Sequence, residues 1–183
     1  MQDSPAVVVL RYGHRPGRDD RMTTHVGLTA RALGADRVVL PGNAGQSAET
    51  VRDITERFGG PFDVDLTDEL DATIRDWAGA VVHLTMYGEA VQDVQENVRR
   101  AHREDGDPIL VVVGGEKVPF EVYEHADWNV GVTNQPHSEV AGLAVFLDRL
   151  FEGRELEQEY EDADQRVIPQ ALGKRVEDVD DEA

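Results

Sequence analysis

Three short segments of the sequence combine glycine or proline with polar side chains, directly after runs of apolar residues. They span residues 84–88, 114–119 and 131–138. Glycine and proline impose defined turns, so backbone amide and carbonyl groups in such segments are exposed at fixed places. Each segment alone is typical of an ordinary connection between a strand and a helix. Side by side, the three loops could enclose a small ligand that is partly apolar.

The sequence lacks the motifs of several common enzyme classes. It contains no G-x-G-x-x-G and no G-x-x-x-x-G-K-[ST], which argues against dinucleotide dehydrogenases and P-loop enzymes. A G-x-S-x-G motif is also absent. The six histidines are dispersed and there is no cysteine, so we expect no metal site. His83 lies within an apolar run and is interpreted as a core residue.

The apolar runs that precede the loops predict a parallel sheet. They are rich in valine and nearly continuous, which favours strands that are buried on both faces. The predicted strands are 6–10, 37–40, 80–84, 109–113 and 127–132. The predicted helices between them are 24–34, 47–58, 67–77, 88–103, 118–126 and 138–152. This alternation predicts an α/β fold with a mostly parallel sheet and helices on both faces, in which ligands bind beyond the carboxyl ends of the strands.

The predicted helix that follows the third loop has almost no polar face. Ser138 is a good N-cap, and Pro136 stiffens the loop just before it. A helix that is hydrophobic all round must be buried on more than one side. One side can pack on the sheet, and we expect the other to meet the same helix of a second subunit. The pattern therefore predicts a homodimer, with the polar loop beside its interface.

The chain is strongly acidic. Asp and Glu number 37 against 18 Lys and Arg, for a net charge of -19, and Lys117 and Lys174 are the two lysines. Such a surface favours adaptation to very high salt, where self-repulsion is screened, over an ordinary acidic protein. Residues 1–37 differ, with six arginines against four aspartates. Because phosphate binding needs positive charge, the overall acidity argues against a nucleic-acid partner, and the basic segment weakens that objection unless its arginines are scattered surface residues.

Length and composition favour one domain. With 183 residues and 40% hydrophobic content, the chain can bury a sizeable core. The predicted domain spans residues 1–151, and residues 152–183 form an acidic extension, of which 166–174 are apolar enough to dock on the body. The N-terminus has the features of neither a signal peptide nor a membrane span, so we expect a soluble, cytoplasmic protein without a membrane partner.

Several longer stretches resemble one family. They include LRYGHRP followed by TTHV near the N-terminus, VHLTMYG at 82–88, VVGGEKVPFEVYEHADWNVGV at 112–132 and TNQPHSEVAGLAVFLDRL at 133–150. These segments resemble the archaeal tRNA cytidine-56 2'-O-methyltransferases, which belong to the SPOUT class. The resemblance extends over nearly the whole chain, up to Lys174.

The resemblance implies properties that the residues alone do not predict. The C-terminal part of the sheet domain would pass through a loop and form a trefoil knot, although chain connections rarely thread loops. The implied cofactor is S-adenosylmethionine, bound in a bent form among the three loops. The implied substrate is the ribose 2'-hydroxyl of a cytidine in the tRNA T loop, whose oxygen attacks the methyl carbon of the sulfonium without a metal. A dimer with each site near the subunit boundary is also implied.

The resemblance also implies which residues bind the cofactor and the RNA. Arg11, His14 and Arg15 follow the first predicted strand and are expected to contact RNA phosphate or ribose, the alternative being that they are ordinary surface loop residues. The cofactor-binding residues that the family motifs imply are Leu84, Gly114, Gly115, Glu116, Lys117, Val118, Val132, Thr133, Asn134, Gln135, Pro136, His137, Ser138 and Glu139.

The residue that removes the hydroxyl proton stays open. Related 2'-O-methyltransferases of this class use an arginine six residues after an asparagine, and here His25 and Arg31 have that spacing, with His in place of Asn. Arg31 is therefore the first catalytic candidate and Arg21 the second, while a helix-surface role is the alternative for Arg31. An arginine pKa exceeds about 12, so the side chain is better suited to orient the ribose or a phosphate than to act as a base.

Three other functions fit parts of the sequence. The same chemistry could act on another tRNA or ribosomal RNA nucleotide, which the sequence of the pocket does not distinguish. A non-catalytic RNA-binding module of the same fold would be expected to have lost the cofactor motifs from its loops. All three loops of this sequence keep them. If the protein bound a small-molecule nucleotide, the arginine-rich segment 1–37 would have no function in that role.

Overall fold

The computed structural model describes residues 5–179, in which a six-stranded parallel sheet is flanked by helices on both faces. The sheet order is β3-β2-β1-β5-β4-β6. Its strands are β1 (Val7–Tyr12), β2 (Arg37–Pro41), β3 (Asp63–Thr67), β4 (Ala80–Ala90), β5 (Ile109–Gly114) and β6 (Trp128–Gly131). The α-helices are α1 (Asp20–Ala32), α2 (Gly45–Phe58), α3 (Leu70–Arg75), α4 (Val91–Arg100), α5 (Phe120–His125) and α6 (Glu139–Phe151). The predicted parallel α/β class is confirmed.

The central strands are buried on both faces, as their continuous apolar runs predict. Side chains of alternating residues in β1 point into two separate cores. Val9 belongs to the core beneath α1, α2, α4 and α6, which also contains Leu143 of α6. Val8 belongs to the core on the other face, together with Ile74 of α3 and Val122 of α5. The two cores fix the sheet rigidly between helical layers, so the loops at its carboxyl edge have a firm base.

Strand β3 lies outside the five strands that the sequence pattern predicts. It is the edge strand beside β2, and its residues are mostly polar. Val64 is buried, whereas Asp63 and Asp65 are exposed and each lies 3.1 Å from the Arg37 guanidinium. An edge strand with one buried side chain leaves no apolar run in the sequence, and its charges discourage pairing with another chain.

Strand β4 is longer than predicted and contains the whole first loop. It continues past residue 84 to Ala90, so α4 begins at Val91 rather than at residue 88. The pairing with β6 shifts register between Leu84 and Glu89. The residues within this shift leave the regular ladder and supply part of the cavity wall described below.

The C-terminal extension begins where α6 ends, and its first part packs on the sheet domain. Glu155, in a short 3-10 helix, is buried, and Glu161 pairs with Gly60 through backbone hydrogen bonds. A two-stranded antiparallel hairpin, β7 (Gln165–Val167) and β8 (Val176–Asp178), follows. The structure of the single chain does not bury residues 166–174, which were expected to dock, since Leu172 is 90% exposed. Residues 1–4 and 180–183, at the ends of the predicted domain and extension, lie outside the described part.

Candidate active site

A cavity of about 200 Å³ lies at the carboxyl edge of the sheet, where β4, β5 and β6 end. All three loops that the sequence singles out contribute to it or border it. The lining residues are Leu84, Thr85, Met86, Val113, Gly114, Val130, Val132, Pro136, His137, Glu139 and Gly142. Most of these side chains are apolar, and Glu139 is the one carboxylate among them. The cavity therefore suits a ligand that is largely apolar and carries a polar or cationic group.

Asn134 and Gly88 hold the first and third loops together. The Asn134 side-chain amide donates hydrogen bonds to the carbonyl oxygens of Met86 at 2.6 Å and of Gly88 at 3.3 Å. Gly88 lies against β6, where an added Cβ would come within 2.4 Å of the Asn129 carbonyl oxygen. A larger residue at position 88 would push the first loop away from β6, so glycine is needed for the close approach.

The third loop ends at a well-capped helix. The Ser138 hydroxyl accepts a hydrogen bond from the Ala141 amide at 3.1 Å, which confirms the predicted N-cap. The His137 ring packs over Gly142, where a Cβ would lie 2.9 Å from the ring Cε1. His137 Nδ1 lies 2.9 Å from the Ser138 carbonyl oxygen. Since a carbonyl oxygen only accepts, Nδ1 is the donor in this contact.

A cluster of polar side chains around the buried His83 supports the first loop. His83 Nδ1 lies 2.9 Å from the Asn129 side-chain oxygen, and the Asn129 amide donates to the Tyr123 carbonyl oxygen at 2.9 Å. The Tyr123 hydroxyl then reaches Thr85, which lines the cavity, at 3.1 Å. His83 is 1% exposed, as its apolar context predicts, and burial lowers its pKa. The neutral imidazole serves a structural role in this cluster.

The end of β1 fixes the second loop through three hydrogen bonds. The Gly115 amide donates to the Tyr12 carbonyl oxygen at 2.7 Å. The side chains of Arg11 and Arg15 donate to the carbonyl oxygens of Gly114 at 3.2 Å and Gly115 at 3.3 Å. A Cβ on Gly115 would lie 2.7 Å from the Arg11 guanidinium, so this position also requires glycine. Two arginines of the basic N-terminal segment thus support the cavity wall.

Arg11 does not lie where an RNA contact would require. Its side chain is fully buried, and its Nη1 lies 3.6 Å from Glu139 Oε1. Burial lowers the pKa of Arg11, while the nearby carboxylates of Glu139 and Asp19 raise it. In the described conformation Arg11 is closed to RNA, so its contact with RNA phosphate stays a prediction that this structure does not favour. The sequence pattern could not separate an inward arginine from an outward one, since both end the same strand.

His14 and Arg15 are also engaged within the protein. His14 is buried, with Nδ1 2.9 Å from the Thr23 hydroxyl and Nε2 3.2 Å from Asp20. Its predicted RNA contact is therefore not available in this conformation. Arg15 pairs with Asp19 at 2.8 Å and remains 40% exposed in its side chain. The Arg15 guanidinium lowers the pKa of Asp19 to about 2. Of the three predicted RNA-binding residues, Arg15 alone presents charge to solvent.

Arg31, the first catalytic candidate, lies at the wrong end of helix α1. It occupies the last turn, where its guanidinium donates to the Gly59 carbonyl oxygen at 2.5 Å and stacks over the Tyr160 ring at 4.4 Å. Gly59 precedes strand β3, so this cluster marks the amino edge of the sheet, opposite the cavity. Burial lowers the pKa of Arg31. Within the single chain Arg31 therefore does not reach this cavity, because the spacing from His25 takes no account of which end of the helix faces it, and its catalytic role stays a prediction.

Arg21, the second candidate, lies in the first turn of α1 and is exposed. Helix α1 starts on the carboxyl side of β1, beside Arg15 and the second loop. Arg21 therefore faces solvent on the same edge of the sheet as the cavity. This placement allows contact with a large ligand that covers the cavity mouth.

The predicted cofactor-binding residues divide into two groups. Those that line the cavity are Leu84, Gly114, Val132, Pro136, His137 and Glu139. The others lie in the same loops without lining it, namely Gly115, Glu116, Lys117, Val118, Thr133, Asn134, Gln135 and Ser138. The lining residues outside the prediction are Thr85, Met86, Val113, Val130 and Gly142. Gly142 could have been found from its position one helical turn after Glu139, which places both on one face of α6.

Two further features bear on the class of ligand. Across residues 5–179, no group of three or more His, Asp or Glu side chains is arranged to hold a metal ion. Within the same residues, no helix has both the length and the apolarity that a membrane span needs.

The sequence matches a known family over most of its length and individual relatives over nearly all of it. Residues 58–177 match the family described as tRNA ribose 2'-O-methyltransferase, aTrm56. A relative from Halobacterium salinarum, named tRNA (cytidine(56)-2'-O)-methyltransferase, is 76% identical over 99% of this chain and 93% of its own length. Relatives of the same name from Haloarcula marismortui and Pyrococcus abyssi are 71% and 51% identical, over 100% and 97% of this chain and 100% and 90% of their own lengths.

Solved structures share the fold at low sequence identity. A TrmH/SpoU tRNA modifying enzyme of A. aeolicus matches with a TM-score of 0.56 and 16% identity, over 85% of this chain and 78% of that one. A putative RNA methyltransferase of the TrmH family from Porphyromonas gingivalis matches with a TM-score of 0.58 and 12% identity, over 80% and 59%. These structures support the fold, and the sequence matches identify the family: the chain belongs to the tRNA ribose 2'-O-methyltransferases described as aTrm56.

Proposed function

We propose that this protein transfers a methyl group from S-adenosylmethionine to the ribose 2'-hydroxyl of cytidine 56 in the tRNA T loop. The observation that carries the proposal is a match of 76% identity over 99% of the chain with a relative named for this reaction. The geometry agrees with it, because the segments that resemble the family's cofactor motifs meet around one cavity.

The residues around the cavity fit this cofactor. Leu84, Val130 and Val132 offer an apolar surface suited to an adenine ring. Glu139 supplies the one carboxylate for a cationic group. The methyl group of the bound cofactor is electrophilic because it is attached to a positively charged sulfur. The SpoU methyltransferase AviRb of Streptomyces viridochromogenes, with a TM-score of 0.52 and 13% identity over 84% of this chain, was determined in complex with AdoMet.

The chain's contribution to the reaction is to align the ribose and shield the site. Arg21 would hold a phosphate or ribose oxygen of the RNA and so bring the hydroxyl into line with the methyl group, a role that its exposure at the carboxyl edge of the sheet supports. Its guanidinium stays charged at neutral pH, so it orients the substrate rather than removing the proton. Arg15, whose side chain is 40% exposed, would add a second guanidinium at the same edge of the sheet. The reaction requires no metal.

The proposal includes an assembly. Helix α6 buries Leu143 and Leu147 in the core, while Val145 on its outer side is 40% exposed. An apolar outer side supports a homodimer through α6, with each cavity near the subunit boundary. The C-terminal trefoil knot fits the chain path, in which β6 pairs at the outer side of β4 and α6 then returns to pack against α1 and α4. A cytoplasmic location and a salt-adapted surface fit a tRNA enzyme with a net charge of -19.

The decisive experiment is methyl transfer from labelled S-adenosylmethionine to an unmodified tRNA transcript in molar KCl, with the product mapped by nucleotide. Label on the ribose of cytidine 56 is expected. Label on another nucleotide would keep the chemistry and overturn the target. If no label is transferred although calorimetry shows that the protein binds the cofactor, a non-catalytic RNA-binding module would be favoured.

A further inference from the structure

The cavity has an uneven distribution of charge. Its lining is formed mainly by apolar side chains and glycines, and Glu139 is the one ionisable carboxylate among them. Glu139 is the first residue of α6, directly after the Ser138 N-cap. Its backbone position is therefore fixed by the capped helix end, and its side chain begins at the cavity wall.

The guanidinium of the buried Arg11 lies next to the Glu139 carboxylate. Arg11 Nη1 lies 3.6 Å from Glu139 Oε1, and the two side chains are 1% and 33% exposed respectively. Arg11 is held in turn by its hydrogen bond to the Gly114 carbonyl oxygen at 3.2 Å. The positive member of the pair lies in the protein interior, and the negative member is open to the cavity. The pair thus presents its negative end to any ligand.

A carboxylate in such a place has a strong effect on a bound cation. The apolar surroundings lower the local dielectric, which strengthens the attraction between unlike charges compared with water. Arg11 offsets part of the carboxylate's charge, and its burial keeps the guanidinium on the far side of Glu139. The arrangement would favour a cationic ligand over a neutral one of the same shape.

We propose that Glu139 recognises the positive charge of the methyl donor, and that Arg11 is a positioning residue that aims Glu139 at it. The inference rests on the proposed function, because it takes the cofactor to be S-adenosylmethionine. The positive charge has two sources in that molecule, the sulfonium and the amino-acid ammonium. Glu139 thereby helps the enzyme to select its charged donor.

Calorimetry with three ligands tests the proposal directly. S-adenosylmethionine carries both cationic groups, S-adenosylhomocysteine carries the ammonium alone, and methylthioadenosine carries neither. The variant Glu139→Gln keeps the shape and removes the charge. Its affinity for S-adenosylmethionine is expected to fall about 10- to 100-fold, with methylthioadenosine binding unchanged. A loss for S-adenosylhomocysteine of equal size would assign the contact to the ammonium, and a loss confined to S-adenosylmethionine would assign it to the sulfonium.

An equal loss for all three ligands, or no loss for any, would overturn the proposal, because Glu139 would then act on shape alone or not at all. Wild-type protein that binds none of the three ligands would instead refute the proposed function. Glu124→Gln on helix α5 is the matched control, since Glu124 is exposed and lies outside the cavity lining. It should bind all three ligands as the wild type does.

The positioning role of Arg11 has its own test. Arg11→Met removes the charge and keeps much of the volume, and Arg11→Lys restores the charge. Arg11→Met removes a positive charge that opposes a bound cation, but it also frees the Glu139 side chain, and we expect the lost orientation to dominate. The variant should weaken S-adenosylmethionine binding about 10-fold more than methylthioadenosine binding, and Arg11→Lys should recover part of this difference. In the double variant with Glu139→Gln, Arg11→Met should add no further selectivity loss. A selectivity loss that is fully additive in the double variant would contradict the coupling.

Discussion

Helix α1 carries two arginines in opposite surroundings. Arg21, in the first turn, is exposed at the carboxyl edge of the sheet, on the side of the cavity. Arg31, in the last turn, is 7% exposed and enclosed by Gly59 and Tyr160 at the amino edge. Ten residues of helix separate them by about 15 Å. We infer from this comparison that Arg21 can contact a ligand at the cavity side, whereas the contacts of Arg31 in the single chain favour a role in stability.

Removal of the Arg21 guanidinium should have the largest effect on activity. We expect Arg21→Ala to reduce methyl transfer to tRNA about 100-fold or more, because the RNA would lose an anchor that aligns the ribose. The midpoint of urea denaturation should stay that of the wild type, since Arg21 is exposed. Single-turnover assays and denaturation curves on one preparation measure both quantities. An active Arg21→Ala variant would remove Arg21 from the mechanism.

Truncation of Arg31 should act on stability instead. Arg31→Ala loses the hydrogen bond to Gly59 and the contact with the Tyr160 ring. The free energy of unfolding should fall by about 2–3 kcal/mol. Cofactor affinity and the rate per folded molecule should match the wild type. A variant that is stable but inactive would reverse the assignment of the two arginines.

A milder change at the same cluster separates its two contacts. The Tyr160 hydroxyl donates to the Arg31 carbonyl oxygen at 2.8 Å, while the ring supports the guanidinium. Tyr160→Phe keeps the ring and should cost about 1 kcal/mol of unfolding free energy. Urea denaturation of this variant beside Arg31→Ala measures the difference. A cost as large as that of Arg31→Ala would show that the hydroxyl, rather than the ring, holds the extension.

The smallest effect is expected at the start of α1, as a pH dependence. Arg15 holds the folded-state pKa of Asp19 at about 2, below the ordinary value of 3.8. Because the folded pKa is depressed, the ion pair stabilises the fold above about pH 4, and this contribution is lost as the pH falls towards 2. The stability difference between wild type and Asp19→Asn should therefore vanish over that range. A difference that persists at pH 2 would exclude the ion pair as its cause.

The sequence predicts the strands and helices of this molecule better than the orientation of individual side chains. Continuous valine runs identify the central strands because strands buried on both faces leave a one-dimensional signal. Strand β3 leaves none, since Val64 is its one buried residue. The glycine and proline loops likewise lead to the cavity. Whether Arg11 points inward or Arg31 lies at the far edge depends on tertiary packing, which no local spacing encodes.

The measurement that tests the account most directly is nucleotide-resolved methyl transfer by wild type, Arg21→Ala and Arg31→Ala, assayed side by side on one unmodified tRNA transcript in molar KCl. We predict ribose methylation at cytidine 56 by the wild type and by folded Arg31→Ala, with almost none by Arg21→Ala. Methylation by Arg21→Ala together with an inactive, folded Arg31→Ala would contradict it, because the chemistry would then depend on the opposite edge of the sheet.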